Sequence, residues 1–240
     1  MSFRNWTGRL RRIQGDQPLW PWLLGMMLDE EFDRLSNVDK SYERDVFKDR
    51  DDHENQEGIS KLRLVPALYH HCLQHNGGCL EVDGERIWLL GYEWPNQGGR
   101  AESGRRADLV GLRKDGSLVV FECKRADNAD PPLTAIVEGL DYLACLLRPG
   151  NFEKITSGFQ QWIDKQDKII PEGFEGIKPV REARPSIIVL APEEYFKDCY
   201  SNSHRGDGWT DISIIGSEMC QNFSIQFVSS EYNSHQALKI

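Results

Sequence analysis

The chain has 240 residues, 39% of them hydrophobic and 28% charged, which suits one medium domain, or a domain with an appended piece, able to bury a real core. Its net charge of −9 repels a polyanion in bulk and argues against a protein that coats nucleic acid. It does not argue against an enzyme, because local basic patches and bound cations decide affinity at a site.

In chain order, residues 1–57 read as an irregular, helix-containing lead. Leu23, Met26, Met27, Phe32 and Leu35 outline one amphipathic helix, and the polar run Asp49 to Gly58 reads as a linker or exposed turn. The main domain is expected over 58–240. Leu62, Val65, Leu68, Tyr69 and Cys72 recur at helical spacing, Pro66 calls for a kink or a later start, and Asn76-Gly77-Gly78 ends the helix. A short strand at Cys79–Val82 and a longer one at Arg86–Tyr92 flank Asp83-Gly84, a hairpin signal. Two more apolar runs, Arg106–Leu112 and Leu118–Cys123, flank Asp115-Gly116.

Asp130 is a candidate N-cap for a helix whose stripe is Leu133, Ile136, Val137, Leu140, Leu143, Ala144 and Leu147. Phe152, Ile155, Phe159, Trp162 and Ile163 form another. Ser186–Ala191 is continuously apolar, as a central strand covered on both faces would be. A short helix after Pro192 and strands at 212–215 and 223–228 complete the reading. The order implies an α/β fold, a mixed sheet with helices on both faces.

Charged residues interrupt the two runs around Asp115-Gly116. Period two places Glu122 and Lys124 on one face of their strand. A two-residue loop at Asp115-Gly116 would set Asp108 opposite Cys123 and send the two acids to opposite faces. A three- or five-residue loop, or a bulge, sets Asp108 opposite or next to Glu122, with Cβ atoms roughly 5 Å apart, and this is the register expected. Two carboxylates that close repel unless a cation lies between them. Oxygen ligands with open positions suit Mg²⁺ or Mn²⁺, with the backbone carbonyl of Cys123 as a third protein oxygen. Lys124 is placed to orient or activate a water and to balance transition-state charge. Arg105, Arg106 and Arg125 are the nearest phosphate-positioning candidates, beside Arg100, Arg113 and Lys114.

With Arg106-Ala-Asp-Leu-Val-Gly and Val120-Phe-Glu-Cys-Lys-Arg, the segment resembles the PD-(D/E)xK nuclease superfamily, whose fold is restriction-endonuclease-like. The resemblance implies that Asp108 and Glu122 are metal ligands, that Lys124 is the catalytic lysine, and that the substrate is nucleic acid, DNA more than RNA. Members often carry a Gln before an acidic-Tyr pair on the following helix; this chain reads Glu138-Gly-Leu-Asp141-Tyr142. Glu138, Asp141 and Tyr142 are expected on one helix face away from the apolar stripe. Glu93, Glu138 and Tyr142 are the accessory candidates.

Blander readings stand beside these. Asp108, Glu122 and Lys124 could be a cross-strand ion cluster on an exposed edge, worth little stability. His70, His71 and His75 read as a half-exposed helix face rather than a metal site. Cys123 should point to the buried face as a small hydrophobe. No apolar run nears the roughly 18 residues of a membrane span. The start has no apolar signal region, and the six cysteines hold no Cys-x-x-Cys pair, which favours a reduced cytoplasm. The expectation is a cytoplasmic, Mg²⁺- or Mn²⁺-dependent nuclease that needs no membrane, with residues 1–57 free to carry a homodimer or protein contact. The alternative is a catalytically inactive nuclease-like domain acting as an interaction module.

Overall fold

A computed structural model describes residues 20–39, 42, 47, 64–95, 106–126, 128, 132–165, 170–196 and 220–230. The basic residues Arg4, Arg9, Arg11 and Arg12, Arg100, Arg105, the Asp130 cap, the 49–58 linker and the 212–215 strand lie outside them. The elements are α1 (Trp20–Ser36), α2 (Leu64–His75), β1 (Cys79–Val82), β2 (Glu85–Pro95), β3 (Arg106–Leu112), β4 (Leu118–Cys123), α3 (Pro132–Leu146), α4 (Pro149–Asp164), β5 (Ser186–Ala191) and β6 (Ser224–Ser229).

The sheet runs β1-β2-β3-β4-β5-β6, so each strand lies beside its neighbours in sequence. Hairpins make the first three pairings antiparallel. The step from β4 to β5 carries α3 and α4 and is parallel, as is β5 to β6. Parallel pairing needs such a crossover, and the crossover covers a sheet face, so β5 is buried at every position. Two cores result. On one face α2 lays Leu68, Tyr69 and Cys72 on Leu80, Ile87, Leu109, Val119 and Phe121. On the other, α3, α4 and α1 cover Trp88, Val110, Leu118, Val120, Ile187 and Val189. Helices on both faces of a mixed α/β sheet are what the element order required.

Local chemistry accounts for the ends of these elements. Helix α2 begins at Leu64, so Pro66 falls in its first turn, where a missing N–H costs nothing. It ends where the N–H groups of Asn76 and Gly78 both reach the Cys72 carbonyl, at 3.0 and 2.9 Å. Asp83 and Gly84, at φ +50° and +77°, form the two-residue turn that pairs Val82 with Glu85. Around Trp88 an aromatic group closes the sheet against α4: its ring centroid lies 5.5 Å from Phe159 and 5.6 Å from Trp162. Large apolar side chains buried this way each contribute roughly 1.5–3 kcal/mol.

Two expectations are corrected. Met26, assigned to the apolar stripe of α1, is 40% exposed, while Leu28 is fully buried. The buried face of α1 is set by Leu28 and Phe32, one turn apart, and Met26 lies about half a turn from Leu28. Tyr142, expected clear of the apolar stripe, is 8% exposed and belongs to the core. Helix α3 packs on the sheet with one side and on α1 with another, so apolar cover reaches further round it than the stripe requires. At Gly139 it comes so close to β5 that a Cβ there would lie 2.7 Å from Ile187 Cγ2.

Helix α1 is also tied to the far end of the chain. The buried Asp29 carboxylate accepts backbone N–H bonds from Gln221 and Asn222, just before β6. Tyr42 and Phe47 enter the same core as Trp94 and Phe159. Among the described residues no helix is long and apolar enough to cross a membrane.

Candidate functional site

The β3–β4 hairpin decides the geometry. Its pairs run from Leu112↔Leu118 to Leu109↔Phe121, and the Arg113 N–H donates to the Ser117 carbonyl at 3.0 Å. The loop is therefore the three residues Lys114-Asp115-Gly116, and the next pair along the ladder is Asp108 with Glu122. Gly116 makes this possible. It sits at φ +84°, donates to the Arg113 carbonyl at 3.0 Å, and forms the left-handed step that follows a tight turn in a three-residue hairpin. Its carbonyl accepts the Val180 N–H at 2.9 Å, and a Cβ on it would lie 2.7 Å from the Lys178 carbonyl oxygen.

Beyond Leu109↔Phe121 the ladder changes character. The Cys123 N–H donates to Asp108 Oδ2 at 2.7 Å, so a side-chain carboxylate takes the role of a strand carbonyl. On its other edge β4 continues to β5, where the Lys124 N–H reaches the Leu190 carbonyl at 2.9 Å. The acids thus sit at the C-terminal end of β4, where β3 and β4 cease to pair as strands while β5 still supports β4.

Glu122 and Lys124 follow Leu118 and Val120 on the face covered by α3. The ammonium of Lys124 bridges two carboxylates, lying 2.9 Å from Glu122 Oε1 and 2.9 Å from Glu138 Oε2 on α3. The side chains of Lys124 and Glu122 are each 7% exposed, while Glu138 is 40% exposed. Glu122 Oε2 is buried with no hydrogen-bond partner among the described residues. Cys123 packs toward the opposite core, and burial drives its thiol well above the ordinary range. A protonated thiol there is no nucleophile.

Electrostatics follow from this packing. Burial pushes the Asp108 carboxyl up to about 6, against the Cys123 N–H and Lys124, which favour its anion; Glu138 and Glu93 add to the rise. Burial, then repulsion from Asp108, raises Glu122 well above the usual carboxylate range, and Lys124 only partly opposes this. Burial alone would lower Lys124, yet Glu122 and Glu138 together hold it above its usual range. A simple ion pair would lower its acid while raising its base. Here the acid rises as well, because removal from water and a second carboxylate outweigh one ammonium.

Glu93 lies next to this group on β2. The pairs Tyr92↔Leu109 and Trp94↔Ala107 place it across from Asp108. Its φ of +49° is costly for a residue with a side chain, and on either side of it Tyr92 packs on one core and Trp94 enters the other. Arg106, expected to hold phosphate, instead pairs with Glu93 at 3.0 Å. Arg125 is exposed directly after Lys124. Tyr142 is in the core, one turn beyond Glu138. The His71 and His75 rings lie 4.6 Å apart and tilted on α2, and no three His, Cys, Asp or Glu side chains among the described residues converge as a metal cage.

The structure therefore gathers Asp108, Glu122, Lys124 and Glu138, with Glu93 alongside. Glu138 was an accessory candidate by its place on the helix after the motif, but nothing in the sequence signals that it contacts Lys124. Comparison with protein-family models, curated proteins and solved structures finds no match.

Proposed function

We propose that this protein is a metal-dependent nuclease of the PD-(D/E)xK type, with DNA as the favoured substrate. The observation that carries the reading is the buried Asp108–Glu122 pair beside Lys124, with Glu122 Oε2 left without a partner. A buried carboxylate oxygen is costly to strand, and a cation between the acids would satisfy it. The donor set fits Mg²⁺ or Mn²⁺: Asp108, Glu122 and the Cys123 carbonyl are hard oxygen ligands on adjacent strands. When bound, such an ion supplies positive charge that polarises a phosphoryl oxygen.

The chain's own groups supply the rest. Asp108 stays aimed by its bond from the Cys123 N–H. Lys124, charged and nearly removed from water, orients the attacking water and offsets charge that builds on the phosphoryl oxygens. Arg125 is exposed beside it, where a phosphate backbone can reach. The order α2-β1-β2-β3-β4-α3-α4-β5 supports a restriction-endonuclease-like fold, with the site where β3 and β4 part. One observation favours the second reading, an inactive interaction module: Lys124 already spends hydrogen bonds on Glu122 and Glu138.

The test is incubation with single- and double-stranded DNA and RNA in Mg²⁺ or Mn²⁺, beside Asp108→Ala and Lys124→Ala. Divalent-dependent cleavage lost in both variants is expected. Cleavage that survives both substitutions, or none on any substrate, overturns the proposal.

A further inference from the structure

We infer that Glu138 is the positioning residue for Lys124, holding its ammonium in place when a divalent cation takes Glu122. The inference rests on the nuclease reading and names a role for a residue outside the metal-ligand set. Its basis is the shared ammonium. Lys124 lies 2.9 Å from one oxygen of each glutamate. The two acids are not equivalent. Glu122 is as buried as Lys124, and its second oxygen has no partner, so it is the acid a cation would claim. Glu138 reaches in from α3 and is the more solvated.

Charge counting points the same way. Asp108, Glu122 and Glu138 against Lys124 leave two negative charges when all are ionised, which one divalent cation would cancel. Glu93 and Arg106, paired with each other, add no net charge to this count. Once Glu122 turns to a cation, a nearly buried ammonium with no acid beside it would be costly. Glu138 removes that cost without approaching the cation. Without Glu138, Lys124 has only Glu122, and the lysine and the cation compete for one carboxylate.

Two variants separate position from charge. Glu138→Asp keeps the charge but withdraws the carboxylate by a methylene; Glu138→Gln keeps the length but loses the charge. Both sit at a partly exposed helix position. Mn²⁺ affinity, measured by calorimetry on the full chain without nucleic acid, is expected to fall about tenfold in both, the loss of one charge-assisted hydrogen bond. Wild-type affinity in Glu138→Asp overturns the inference, because Glu138 would then act only as diffuse negative charge. Wild-type affinity in both variants overturns it also. No Mn²⁺ binding by the unsubstituted protein overturns the metal-site reading itself, and the inference with it.

Discussion

Asp108→Asn is expected to stabilise the cation-free protein at neutral pH and to leave it unchanged in acid. Burial raises the Asp108 carboxyl from 3.8 to about 6 in the folded state. The folded protein therefore holds the proton more tightly than the unfolded chain. Between those two values the native state binds more protons, so stability falls as pH rises through the window. Above it the ionised carboxylate is a fixed cost. At about 1.4 kcal/mol per pKa unit, a rise of that size corresponds to roughly 3 kcal/mol, an upper figure because Asp108 shares its titration with Glu122. Asparagine carries no charge, and its amide oxygen can still accept the Cys123 N–H, so the substitution removes the cost and keeps the bond. Urea unfolding in chelator at pH 7.5 should show a gain of about 1–3 kcal/mol that shrinks to nothing near pH 4. An equal change at both pH values, or a loss at neutral pH, would refute the electrostatic account and with it the claim that the acids are held at a cost.

The remaining predictions address the cation, the hairpin and the packing of α1. Saturating Mn²⁺ should raise the melting temperature of the wild type and leave Asp108→Asn unmoved, since only a ligand that binds the folded site shifts the transition; equal shifts in both would place the cation elsewhere. Gly116→Ala should cost about 2 kcal/mol or more, because it meets a left-handed backbone and a carbonyl oxygen 2.7 Å from the added Cβ. The same substitution should weaken Mn²⁺ binding by disturbing the β3–β4 register, a result checked by chemical denaturation and calorimetry together. Asp29→Ala should cost roughly 1–3 kcal/mol by leaving the Gln221 and Asn222 N–H groups without their acceptor. Its denaturation curve should remain a single transition if α1 folds with the sheet.

Much of the architecture could be read from the chain because it rests on local rules. Period two and period 3.6 mark the strands and helices, Asp83-Gly84 can hardly be anything but a tight turn, and an unbroken apolar run at Ser186–Ala191 has to lie between two covered faces. Met26 and Tyr142 depart from expectation for two reasons, the face that α1 buries and the breadth of cover on α3. Periodicity gives the angle between residues on a helix, but not how much of its circumference other elements cover. Helix α3 meets a sheet and a second helix, and α1 turns Leu28 rather than Met26 toward the core.

The motif residues Asp108, Glu122 and Lys124 were legible by type and spacing, and the same-face relation of Glu122 and Lys124 follows from strand geometry alone. Whether Asp108 joins them was not fixed by local sequence. Asp115-Gly116 is compatible with loops of even or odd length, and one residue of slip reverses a side chain's face. Tertiary structure decided it: Gly116 adopts the left-handed step against the 178–180 segment, and the odd loop brings Asp108 level with Glu122. The Lys124–Glu138 contact belongs to the same category, since it depends on how α3 seats across the sheet. Local sequence determined which groups with charge and hydrogen-bonding capacity exist on each strand. Only packing determined which of them share a buried volume, because that depends on register and helix docking set by residues distant in the chain.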